Sequence, residues 1–276
     1  MTDSLFMHLR AGRMHYVDEG AGEPILFVHG TPTWSFEWRH IIRALSSTHR
    51  CIAPDHLGFG FSDRPTDAPY TPEWHSENIL EFVEKLDAGP LTLVVHDFGG
   101  PIALPLALRR PELVKRLVIV NSWMWSFADD RDMASKARVA GSAFGHFLYR
   151  WANMSLRVIM PSAYGDRAKL TREIHRQYLD RFPDRWSRGT VLWALARSLL
   201  RSSEFYDSLW RERGKIAERP ALIVWGMKDS AFKPHLVSRW REALPHARVV
   251  EIAGAGHWPH EEAPDQVVAA LRQFLT

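Results

Sequence analysis

The fold is indicated most clearly by residues 91–100, Leu91-Thr92-Leu93-Val94-Val95-His96-Asp97-Phe98-Gly99-Gly100, where an apolar run passes into a helical segment through a turn of small residues. The apolar run predicts a buried strand, and the two glycines permit close packing between that strand and the following helix. This is the pattern of a nucleophile elbow, which holds its central side chain, here Asp97, above the carboxyl edge of a parallel sheet. Val95 replaces the usual first glycine, and Asp97 replaces the more common serine. An ordinary turn has the same pattern, so the elbow requires support from the rest of the chain.

Apolar runs and segments of helical period alternate on both sides of this stretch. Strands are predicted at 25–28, 51–54, 91–95, 117–120, 221–225 and 248–252, and helices near 38–45, 72–86, up to 109, at 234–243 and from 264. Thr71 as N-cap and Pro72 as the first helical residue mark the start of the second helix. The alternation predicts an α/β protein with a mostly parallel, doubly wound sheet. Residues 14–18 are expected to add antiparallel strands at one edge.

The alternation stops between 123 and 219, where the chain is rich in aromatic residues and arginine and has a mostly helical period. It resumes at the strand predicted for 221–225. We interpret the interruption as a helical cap inserted into the α/β core. The predicted core comprises residues 1–124 and 213–276, and the predicted cap comprises residues 125–212.

Two polar residues follow later strands in positions equivalent to that of the elbow. Asp229 lies just after the strand at 221–225, and His257 follows the strand at 248–252 through a glycine-rich loop. The order nucleophile, acid, base and the location of all three residues at the carboxyl ends of strands match the α/β-hydrolase fold. The backbone N–H groups of Thr31, in a loop after the first parallel strand, and of Phe98 are the candidates for an oxyanion hole.

A carboxylate nucleophile favours a tetrahedral carbon as the electrophile. Attack on an acyl group would form an anhydride, whereas attack on saturated carbon forms an ester that water can cleave. Alkyl halides and epoxides are the obvious substrate classes. Asp97 is ionised at neutral pH and needs no base for its attack, which leaves His257 free to deprotonate water while Asp229 orients the imidazole.

Six segments, in this order, resemble the haloalkane dehalogenase family of α/β-hydrolases: HGTPTWSFEWR, APDHLGFGFSDRP, VVHDFGGPIAL, VNSWMW, IVWGMKD and AGHWPHEEAP. The resemblance covers most of the chain. It implies that Asp97 attacks carbon, that His257 activates water and that Asp229 supports His257. Some members of the family keep the acid after the preceding strand, where this chain has the neutral Asn121. The resemblance is therefore to the members that use an acid in the position of Asp229.

The chain departs from the family where the leaving halide is held. The family usually places a Trp beside the nucleophile, together with an Asn in the His-Gly-x-Pro loop or a second Trp from the cap. This chain has Phe98 and Thr31 at the first two places, and Phe lacks an indole N–H donor. We therefore expect haloalkane hydrolysis as the leading function, with leaving-group contacts that differ from those of the family.

Several aromatic residues follow strand ends and are predicted to line a substrate pocket: Trp34, Phe98, Trp123, Trp125 and Phe232. Core packing is the competing interpretation for such large side chains. An epoxide hydrolase remains open as an alternative function, since Tyr149, Tyr164 and Tyr178 lie in the predicted cap and a pair of tyrosines can protonate a ring oxygen. An ester or lactone hydrolase and a ligand-binding protein without catalysis are the further alternatives.

The composition of the chain indicates which classes of partner it binds. The chain has 35 Lys and Arg against 32 Asp and Glu, a formal charge of +3, and the bases are scattered, so no nucleic-acid or membrane partner is expected. The glycines at 58–60 lack the remaining residues of a nucleotide-binding motif, and Pro259 interrupts the helix that a zinc motif around His257 and His260 would need. We expect no cofactor and no metal, a small-molecule substrate and water as partners, and a cytoplasmic location. Cys51, the single cysteine, is predicted to be a buried strand thiol.

Overall fold

The computed structural model describes residues 5–276, so residues 1–4 of the predicted core lie outside the described residues. Eight strands form one sheet. In chain order they are β1 (Leu5–Leu9), β2 (Gly12–Glu19), β3 (Pro24–Val28), β4 (Arg50–Pro54), β5 (Leu91–Asp97), β6 (Val114–Ser122), β7 (Ala221–Gly226) and β8 (Arg248–Ile252). Their spatial order is β1-β2-β4-β3-β5-β6-β7-β8. The predicted α/β-hydrolase architecture is confirmed.

The sheet is antiparallel at one edge and parallel elsewhere. Strand β2 pairs antiparallel with both β1 and β4, while each of the remaining neighbours pairs in parallel. The antiparallel strands predicted around 14–18 are therefore present, and they extend over both β1 and β2. Since the parallel strands share one direction, their carboxyl ends meet at one edge of the sheet, where ligands bind in folds of this type.

The helices cover both faces of the sheet and fill the long connection between β6 and β7. In chain order they are α1 (Arg39–Leu45), α2 (Pro72–Leu86), α3 (Gly99–Arg109), α4 (Arg131–Gly141), α5 (Ala143–Ala152), α6 (Met160–Ala163), α7 (Arg172–Leu179), α8 (Arg185–Ser187), α9 (Trp193–Arg201), α10 (Ser203–Arg211), α11 (Leu236–Ala243), α12 (Pro259–Glu262) and α13 (Pro264–Leu275). Helix α2 begins at Pro72 as predicted, and the Thr71 hydroxyl accepts a hydrogen bond of 3.4 Å from the N–H of Trp74. No helix within residues 5–276 is long and apolar enough to span a membrane.

Alternation along the strands divides the core into two layers. On one face, Ile25, Val94 and Leu222 belong to the apolar cluster that also contains residues of α1 and α13. On the other face, Leu93 and Ile223 belong to the larger cluster that includes residues of α2 and α3. This period of two is the pleat of a strand that is buried on both sides.

Cys51 lies within β4 and is a buried free thiol, as the sequence predicts. Burial raises the pKa of this thiol to about 12, so it remains protonated and unreactive at neutral pH. It belongs to the apolar cluster on the α1 face of the sheet. Its role is packing.

Between β6 and β7 the described structure consists of helices, short helical turns and loops. Helices α4 and α9 contact each other along their lengths, and α5 packs against both. The last helix of the connection, α10, returns along the sheet and contacts α3. The connection therefore supplies both the helices above the carboxyl edge and the crossover helix that a parallel strand pair requires.

Candidate active site

Asp97 occupies a strained turn at the carboxyl end of β5. Its φ angle is +50°, a left-handed value that is uncommon for residues other than glycine, and the pairing of β5 with β6 is irregular between His96 and Asp97. Two glycines after it allow the close approach of α3. A Cβ atom on Gly99 would lie 2.2 Å from the carbonyl oxygen of Val28, and one on Gly100 would lie 2.0 Å from a side-chain oxygen of β6. The elbow predicted from the sequence thus has the backbone geometry that the motif requires.

The two carboxylate oxygens of Asp97 have different partners. Oδ1 accepts a hydrogen bond of 2.8 Å from the backbone N–H of Thr31, and Oδ2 lies 3.3 Å from Nε2 of His257. The loop that holds Thr31 contains a cis Thr31–Pro32 peptide bond. Its neighbour Gly30 has no room for a side chain, because a Cβ atom there would lie 2.2 Å from Oδ1 of Asp97. One oxygen is therefore fixed by the backbone, and the other is available for chemistry on the side of the imidazole.

His257 is held between the two aspartates. Its Nδ1 donates a hydrogen bond of 2.8 Å to Oδ2 of Asp229, and the imidazole is buried. The other oxygen of Asp229, Oδ1, accepts from the N–H groups of Ala231 and Phe232 at 2.7 and 2.9 Å. These contacts hold the acid in the loop after β7. Asp97, His257 and Asp229, predicted from three separate segments, therefore lie together at the carboxyl edge.

The electrostatics of His257 are dominated by these carboxylates. Burial alone lowers the pKa of the imidazole, but the charge and hydrogen bond of Asp229, together with those of Asp97, outweigh burial and raise the pKa to about 10. In the free protein at neutral pH, His257 is therefore positively charged. Its charge depends on the ionised state of Asp97, so any reaction that neutralises Asp97 lowers the pKa of His257.

Asn121 is a site residue whose role the sequence did not indicate. Its side-chain Nδ2 donates a hydrogen bond of 2.7 Å to Oδ2 of Asp229, and its Oδ1 accepts one of 2.8 Å from the N–H of Gly226. The sequence identified Asn121 only as the neutral residue at the position where some members of the family keep their acid. The signal available in the sequence was the location of Asn121 at the end of a predicted strand. In the structure its φ angle is +36°. Asparagine tolerates this conformation better than most residues.

A cavity of about 620 Å³ opens above Asp97, between the carboxyl edge of the sheet and the helices of the long connection. Most of its lining is apolar, and Asp97 is the only carboxylate among the lining residues. The core contributes Thr31, Pro32, Asp97, Phe98, Ser230, Ala231, Phe232, His257 and Trp258, and the connection contributes Met133, Ser135, Lys136, Ala137, Val139, Ala140, Tyr149, Met154, Ser155, Ile159, Ser162, Ala163, Ala196 and Leu199. Such a site suits a small apolar molecule that presents one reactive carbon to Asp97.

The aromatic residues predicted to line the pocket divide into two groups. Phe98 and Phe232 line the cavity. Trp123 lies behind them, with its ring centroid 4.7 Å from that of each, so it supports the wall and is not among the lining residues. Trp125 packs against Trp210 and Trp240.

Trp34, the remaining candidate, also lies outside the lining. It packs against Phe36 and Phe61 at ring-centroid distances of 5.4 and 5.1 Å. The rings of Trp34, Trp123 and Trp125 therefore pack in the core and do not line the cavity. Burying a large ring is more favourable than leaving it at an open wall.

Two further aromatic residues, Tyr149 and Trp258, line the cavity although neither was among those predicted from the sequence to line it. Tyr149 projects from α5, is buried, and has a pKa raised by burial and by the negative charge of Asp97. Trp258 follows His257, and the two rings meet edge to face at 4.6 Å. Buried polar atoms without a hydrogen-bond partner occur in two residues of the lining within 5–276, namely Oγ1 of Thr31 and Nε1 of Trp258. Both atoms carry a hydrogen that a bound ligand could accept.

The other two tyrosines of the predicted cap are engaged elsewhere. The hydroxyl groups of Tyr164 and Tyr178 both donate to the carboxylate of Glu261, which also accepts from Arg39. Neither tyrosine is among the lining residues of the cavity. Of the three tyrosines considered in the sequence, the structure therefore brings only Tyr149 to Asp97.

A buried cluster of Glu37, His96 and His260 lies behind His257. Nδ1 of His96 is 3.2 Å from Oε1 of Glu37, and Nε2 of His260 is 3.8 Å from Oε2 of the same carboxylate. The other ring nitrogen of His96 lies 2.8 Å from the carbonyl oxygen of His257, so the cluster supports the backbone of the catalytic-base candidate. Within residues 5–276, these three side chains form the one group with potential metal-ligand atoms close together, all within 4.8 Å. The expectation of no metal stays a prediction.

His29, which precedes the Thr31 loop, is a structural residue in this arrangement. Its Nδ1 lies 2.7 Å from the carbonyl oxygen of Gly30, and its Nε2 accepts a hydrogen bond of 3.0 Å from the N–H of His56. The ring is fully buried. It does not line the cavity. These contacts give His29 a structural role in the fold.

Comparison with known proteins places the chain in a family. The family model described as the alpha/beta hydrolase fold matches residues 23–264. The chain is 36% identical over 262 residues to haloalkane dehalogenase 2 of Mycobacterium tuberculosis, an alignment that covers 94% of this chain and 90% of the relative. It is 34% identical over 279 residues to a cis-3-alkyl-4-alkyloxetan-2-one decarboxylase of Shewanella oneidensis, with 98% of this chain and 87% of the relative covered.

A comparison of structures agrees on the fold. The crystal structure of the haloalkane dehalogenase DatA from Agrobacterium tumefaciens superposes with a TM-score of 0.88, at 24% sequence identity, over 99% of this chain and 96% of that chain. The sequence relatives extend the assignment beyond the fold, since they are similar over nearly the whole chain at more than 30% identity. The protein belongs to the α/β-hydrolase fold family and, within it, to the haloalkane dehalogenase family of hydrolases.

Proposed function

We propose that this protein hydrolyses small apolar haloalkanes through a covalent ester on Asp97. The observation that carries the proposal is that the two carboxylate oxygens of Asp97 have different partners. Oδ1 is fixed by the N–H of Thr31, whereas Oδ2 lies beside Nε2 of His257, and the residue lines the cavity. A carboxylate held in this way at the base of an apolar cavity is suited to attack on a saturated carbon.

In the first half-reaction, Oδ2 of Asp97 attacks the carbon that carries the halogen. A carbon–oxygen bond forms, the carbon–halogen bond breaks, and the halide leaves with the bonding electron pair. No proton moves in this step. The positively charged imidazole of His257 lies beside Oδ2 and takes no proton from the substrate in this step. The product is an alkyl ester of Asp97 and a free halide ion.

In the second half-reaction, His257 removes a proton from water, and the resulting hydroxide attacks the ester carbonyl carbon. Esterification removes the negative charge of Asp97, which lowers the pKa of His257 and allows loss of its proton before it acts as a base. Oδ1 becomes the oxyanion of the tetrahedral intermediate, and the N–H of Thr31 already points at it. Collapse breaks the bond between Cγ and Oδ2, and His257 returns the proton from water to the departing oxygen, so the alcohol leaves. Asp97 is left as an acid with one oxygen from water, and loss of its proton to His257 restores the starting state.

The halide requires donors other than a tryptophan beside the nucleophile. Phe98 offers no N–H at that place. The hydroxyl of Thr31 and the indole N–H of Trp258 are the buried donors of the lining that have no hydrogen-bond partner among the described residues. We infer that the leaving group is held by one or both of these.

Epoxide hydrolysis is less well supported. That reaction would use the same Asp97 and His257, but it needs acids in the cap to protonate the ring oxygen. Tyr149 is available, whereas Tyr164 and Tyr178 are bound to Glu261. A tyrosine pair is therefore not formed from these three residues.

The second candidate is decarboxylation of a β-lactone, the activity in the name of the relative from Shewanella oneidensis. Phe98 favours it, because a lactone that opens leaves its own carboxylate attached and requires no halide donor. Attack of Asp97 on the saturated ring carbon bonded to the ring oxygen would give an Asp97 ester with a free carboxylate. Loss of CO₂ with departure of Asp97 would then form an alkene, and no water would be consumed.

The His257→Phe variant tests the proposed function. Asp97 attacks without help, so the variant should complete the first half-reaction on a bromoalkane, release one equivalent of halide and retain the alkyl group. Mass spectrometry should locate the added mass on the peptide that contains Asp97. Wild-type protein that turns over in heavy-oxygen water should in turn carry the label in the Asp97 carboxylate. The matched control is Asp97→Asn in the same background, which should acquire no alkyl group.

The outcomes distinguish the candidates. Halide release with neither adduct nor label would overturn the covalent mechanism. Alkene and CO₂ from a cis-disubstituted oxetan-2-one, with no halide from any haloalkane tested, would replace the leading function with the second candidate. Diol formation from an epoxide, again without halide, would favour the epoxide alternative.

A further inference from the structure

The exposed apolar side chains of this protein are concentrated in one part of the chain. Large hydrophobic residues with high exposure within 5–276 are Phe6, Phe61, Val139, Phe144, Phe147, Trp151 and Val158. All but the first two belong to the connection between β6 and β7. Isolated exposed hydrophobic residues are common on protein surfaces, but a concentration of aromatic rings in one helix marks a binding surface.

Helix α5 exposes three of these rings on one face. Phe144, Phe147 and Trp151 follow one another at helical spacings of three and four residues, with exposed fractions of 64, 55 and 49%. The rings of Phe147 and Trp151 stack at a centroid distance of 6.2 Å. The opposite side of the helix carries the buried Tyr149, which lines the catalytic cavity. We call the solvent side, defined by Phe144, Phe147 and Trp151, the α5 outer face.

The α5 outer face is adjacent to the mouth of the cavity. Val139, at the end of α4, is 53% exposed and is also one of the cavity-lining residues. Its carbonyl oxygen accepts a hydrogen bond of 2.7 Å from the hydroxyl of Ser142, the N-cap of α5. An apolar surface therefore runs from the outer face of α5 towards the rim of the apolar cavity.

Most of the charged residues around this face are arginines, with Asp184 as an acid near Arg185 and Arg188. The chain contains no Asp or Glu from 133 to 165, a segment that includes most of α4, all of α5 and the exposed Arg138, Arg150 and Arg157. Arg185 stacks over the ring of Trp151 at 3.7 Å. Among the described residues, none of these arginines forms an ion pair.

The arginines also act on each other. Burial lowers the pKa of Arg188, Asp184 raises it, and the nearby charges of Arg157 and Arg185 lower it further. Arginines that repel one another around an aromatic surface gain stability when an anionic surface covers them. A symmetric dimer through the same face would bring these arginines against their own copies, so charge opposes a second copy of the chain as the occupant.

We propose that the α5 outer face docks on an anionic lipid surface, with Phe144, Phe147 and Trp151 in the headgroup region and the arginines on lipid phosphates. An apolar helix face with a basic rim is the composition of an interfacial helix, and each basic residue near an anionic leaflet adds to binding. Docking in this orientation would place the mouth of the cavity at the lipid surface. This proposal revises the expectation of no membrane partner. That expectation rested on the scattered positions of the basic residues in the sequence, whereas in the structure the arginines named above lie around one face.

A consequence for substrate delivery rests on the proposed function. Apolar haloalkanes partition from water into lipid, so a cavity that opens at the lipid surface receives substrate at a higher local concentration than one that opens to water. The binding experiment below does not depend on catalysis. Its failure can therefore be distinguished from a failure of the proposed function.

The experiment measures sedimentation of the full-length protein with vesicles of phosphatidylcholine alone and of phosphatidylcholine with phosphatidylglycerol. Wild-type protein should sediment with the anionic vesicles, and less so as salt is raised. The triple variant Phe144→Ser, Phe147→Ser, Trp151→Ser should lose at least about tenfold in binding, as should Arg150→Glu with Arg157→Glu. The matched control for the triple variant is Phe6→Ser with Phe61→Ser, and the matched control for the arginine variant is Arg211→Glu with Arg241→Glu. Both controls change exposed residues outside the α5 outer face and should bind like the wild type.

Three results would overturn the proposal. The first is an absence of vesicle binding by the wild type. The second is equal binding by the triple variant and the wild type, with circular dichroism showing both to be folded. The third is a concentration-dependent dimer in sedimentation equilibrium that the triple variant abolishes while vesicle binding is absent, which would assign the face to a second copy. Turnover of a short water-soluble substrate should be unchanged in the triple variant, since none of its three positions lines the cavity.

Discussion

Asn121 donates a hydrogen bond of 2.7 Å from Nδ2 to Oδ2 of Asp229, the same oxygen that accepts from the candidate base His257. A neutral residue at the end of β6 thus assists an acid at the end of β7. The amide fixes the direction of the carboxylate without adding a second negative charge. The neighbouring strands β6 and β7 thereby cooperate in orienting one imidazole.

Replacement of Asn121 by Ala should slow the second half-reaction. The loss of a hydrogen bond to a charged acceptor typically costs about 1.5–3 kcal/mol, so kcat should fall about tenfold or more once hydrolysis limits turnover. KM should fall with kcat, because kcat/KM reports the unchanged first half-reaction. The first half-reaction, measured as the burst of halide, should remain near the wild-type rate because Asp97 acts in it without His257. Asn78→Ala is the matched control, since Asn78 is a buried amide in α2 that donates to a backbone carbonyl. An equal loss of kcat in both variants would indicate a general effect on stability instead.

The charge on Asp97 should be visible in the titration of His257. We expect an imidazole pKa near 10 in the free protein, and a lower pKa in Asp97→Asn, because that variant removes the negative charge that lies next to Nε2. The Asn side chain resembles the ester in charge, so it reports on the intermediate. NMR titration of ring-labelled histidine measures both values. An unchanged pKa in the variant would remove the explanation of how a protonated imidazole becomes the base.

The same shift links folding stability to pH. The pKa of His257 is raised above its unfolded value of about 6.5, so the folded state binds the proton more tightly. Its contribution to stability is fully present below about pH 6.5 and is lost as pH rises through about 10. Urea unfolding of wild type and His257→Gln over this range should give a difference in unfolding free energy that decreases with pH. A difference that grows with pH would contradict the assignment.

An indole N–H beside the nucleophile should increase halide release. In Phe98→Trp, the new ring would occupy the wall where Phe98 now packs against Trp123, with its N–H available to the leaving group. We expect a roughly tenfold gain on chlorinated or brominated alkanes, the effect of one hydrogen bond to an anion. Phe98→Leu is the control and should show no gain. A folded Trp variant with unchanged halide release would show that this position does not contact the leaving group.

Removal of the buried carboxylate of Glu37 should destabilise the fold. Burial raises the pKa of Glu37, but the charges and hydrogen bonds of His96 and His260 outweigh burial and hold the pKa well below its usual range. Among the described residues, no Lys or Arg forms an ion pair with Glu37. Breaking a buried pair by removing one partner typically costs about 3 kcal/mol or more, which is the loss expected for Glu37→Gln in urea unfolding at neutral pH. Glu112→Gln, at an exposed ion pair, should leave the unfolding free energy unchanged. Equal stability of the two variants would contradict an ionised Glu37.

The sequence predicts the fold and the candidate triad well because both depend on local patterns. Strand β8 and helix α2 have the predicted bounds, since apolar period, N-cap and proline act over a few residues. Asp97 ends β5, Asp229 and His257 follow β7 and β8, and parallel strands bring their carboxyl ends to one edge. Knowledge of strand ends was therefore sufficient to bring these three residues together.

The lining of the cavity was predicted less well, because the direction of a side chain depends on packing between distant segments. Trp123 follows β6 as expected, but its ring turns into the space behind Phe98 and Phe232. Tyr149 lines the cavity because α5 turns that face inward against the neighbouring helices. Neither orientation follows from periodicity alone, since the apolar α5 has aromatic rings on both of its sides.

The connection between β6 and β7 has an evolutionary consequence. These strands are parallel neighbours, with Leu117 opposite Ala221, so any chain that pairs them must cross from one end of the sheet to the other. The helices α4 to α9 extend a crossover that topology already demands, and α10 completes it. Natural variation in the length and composition of this segment can therefore alter the roof of the cavity, and with it substrate choice and surface contacts, while the strand register that aligns Asp97, Asp229 and His257 is inherited unchanged.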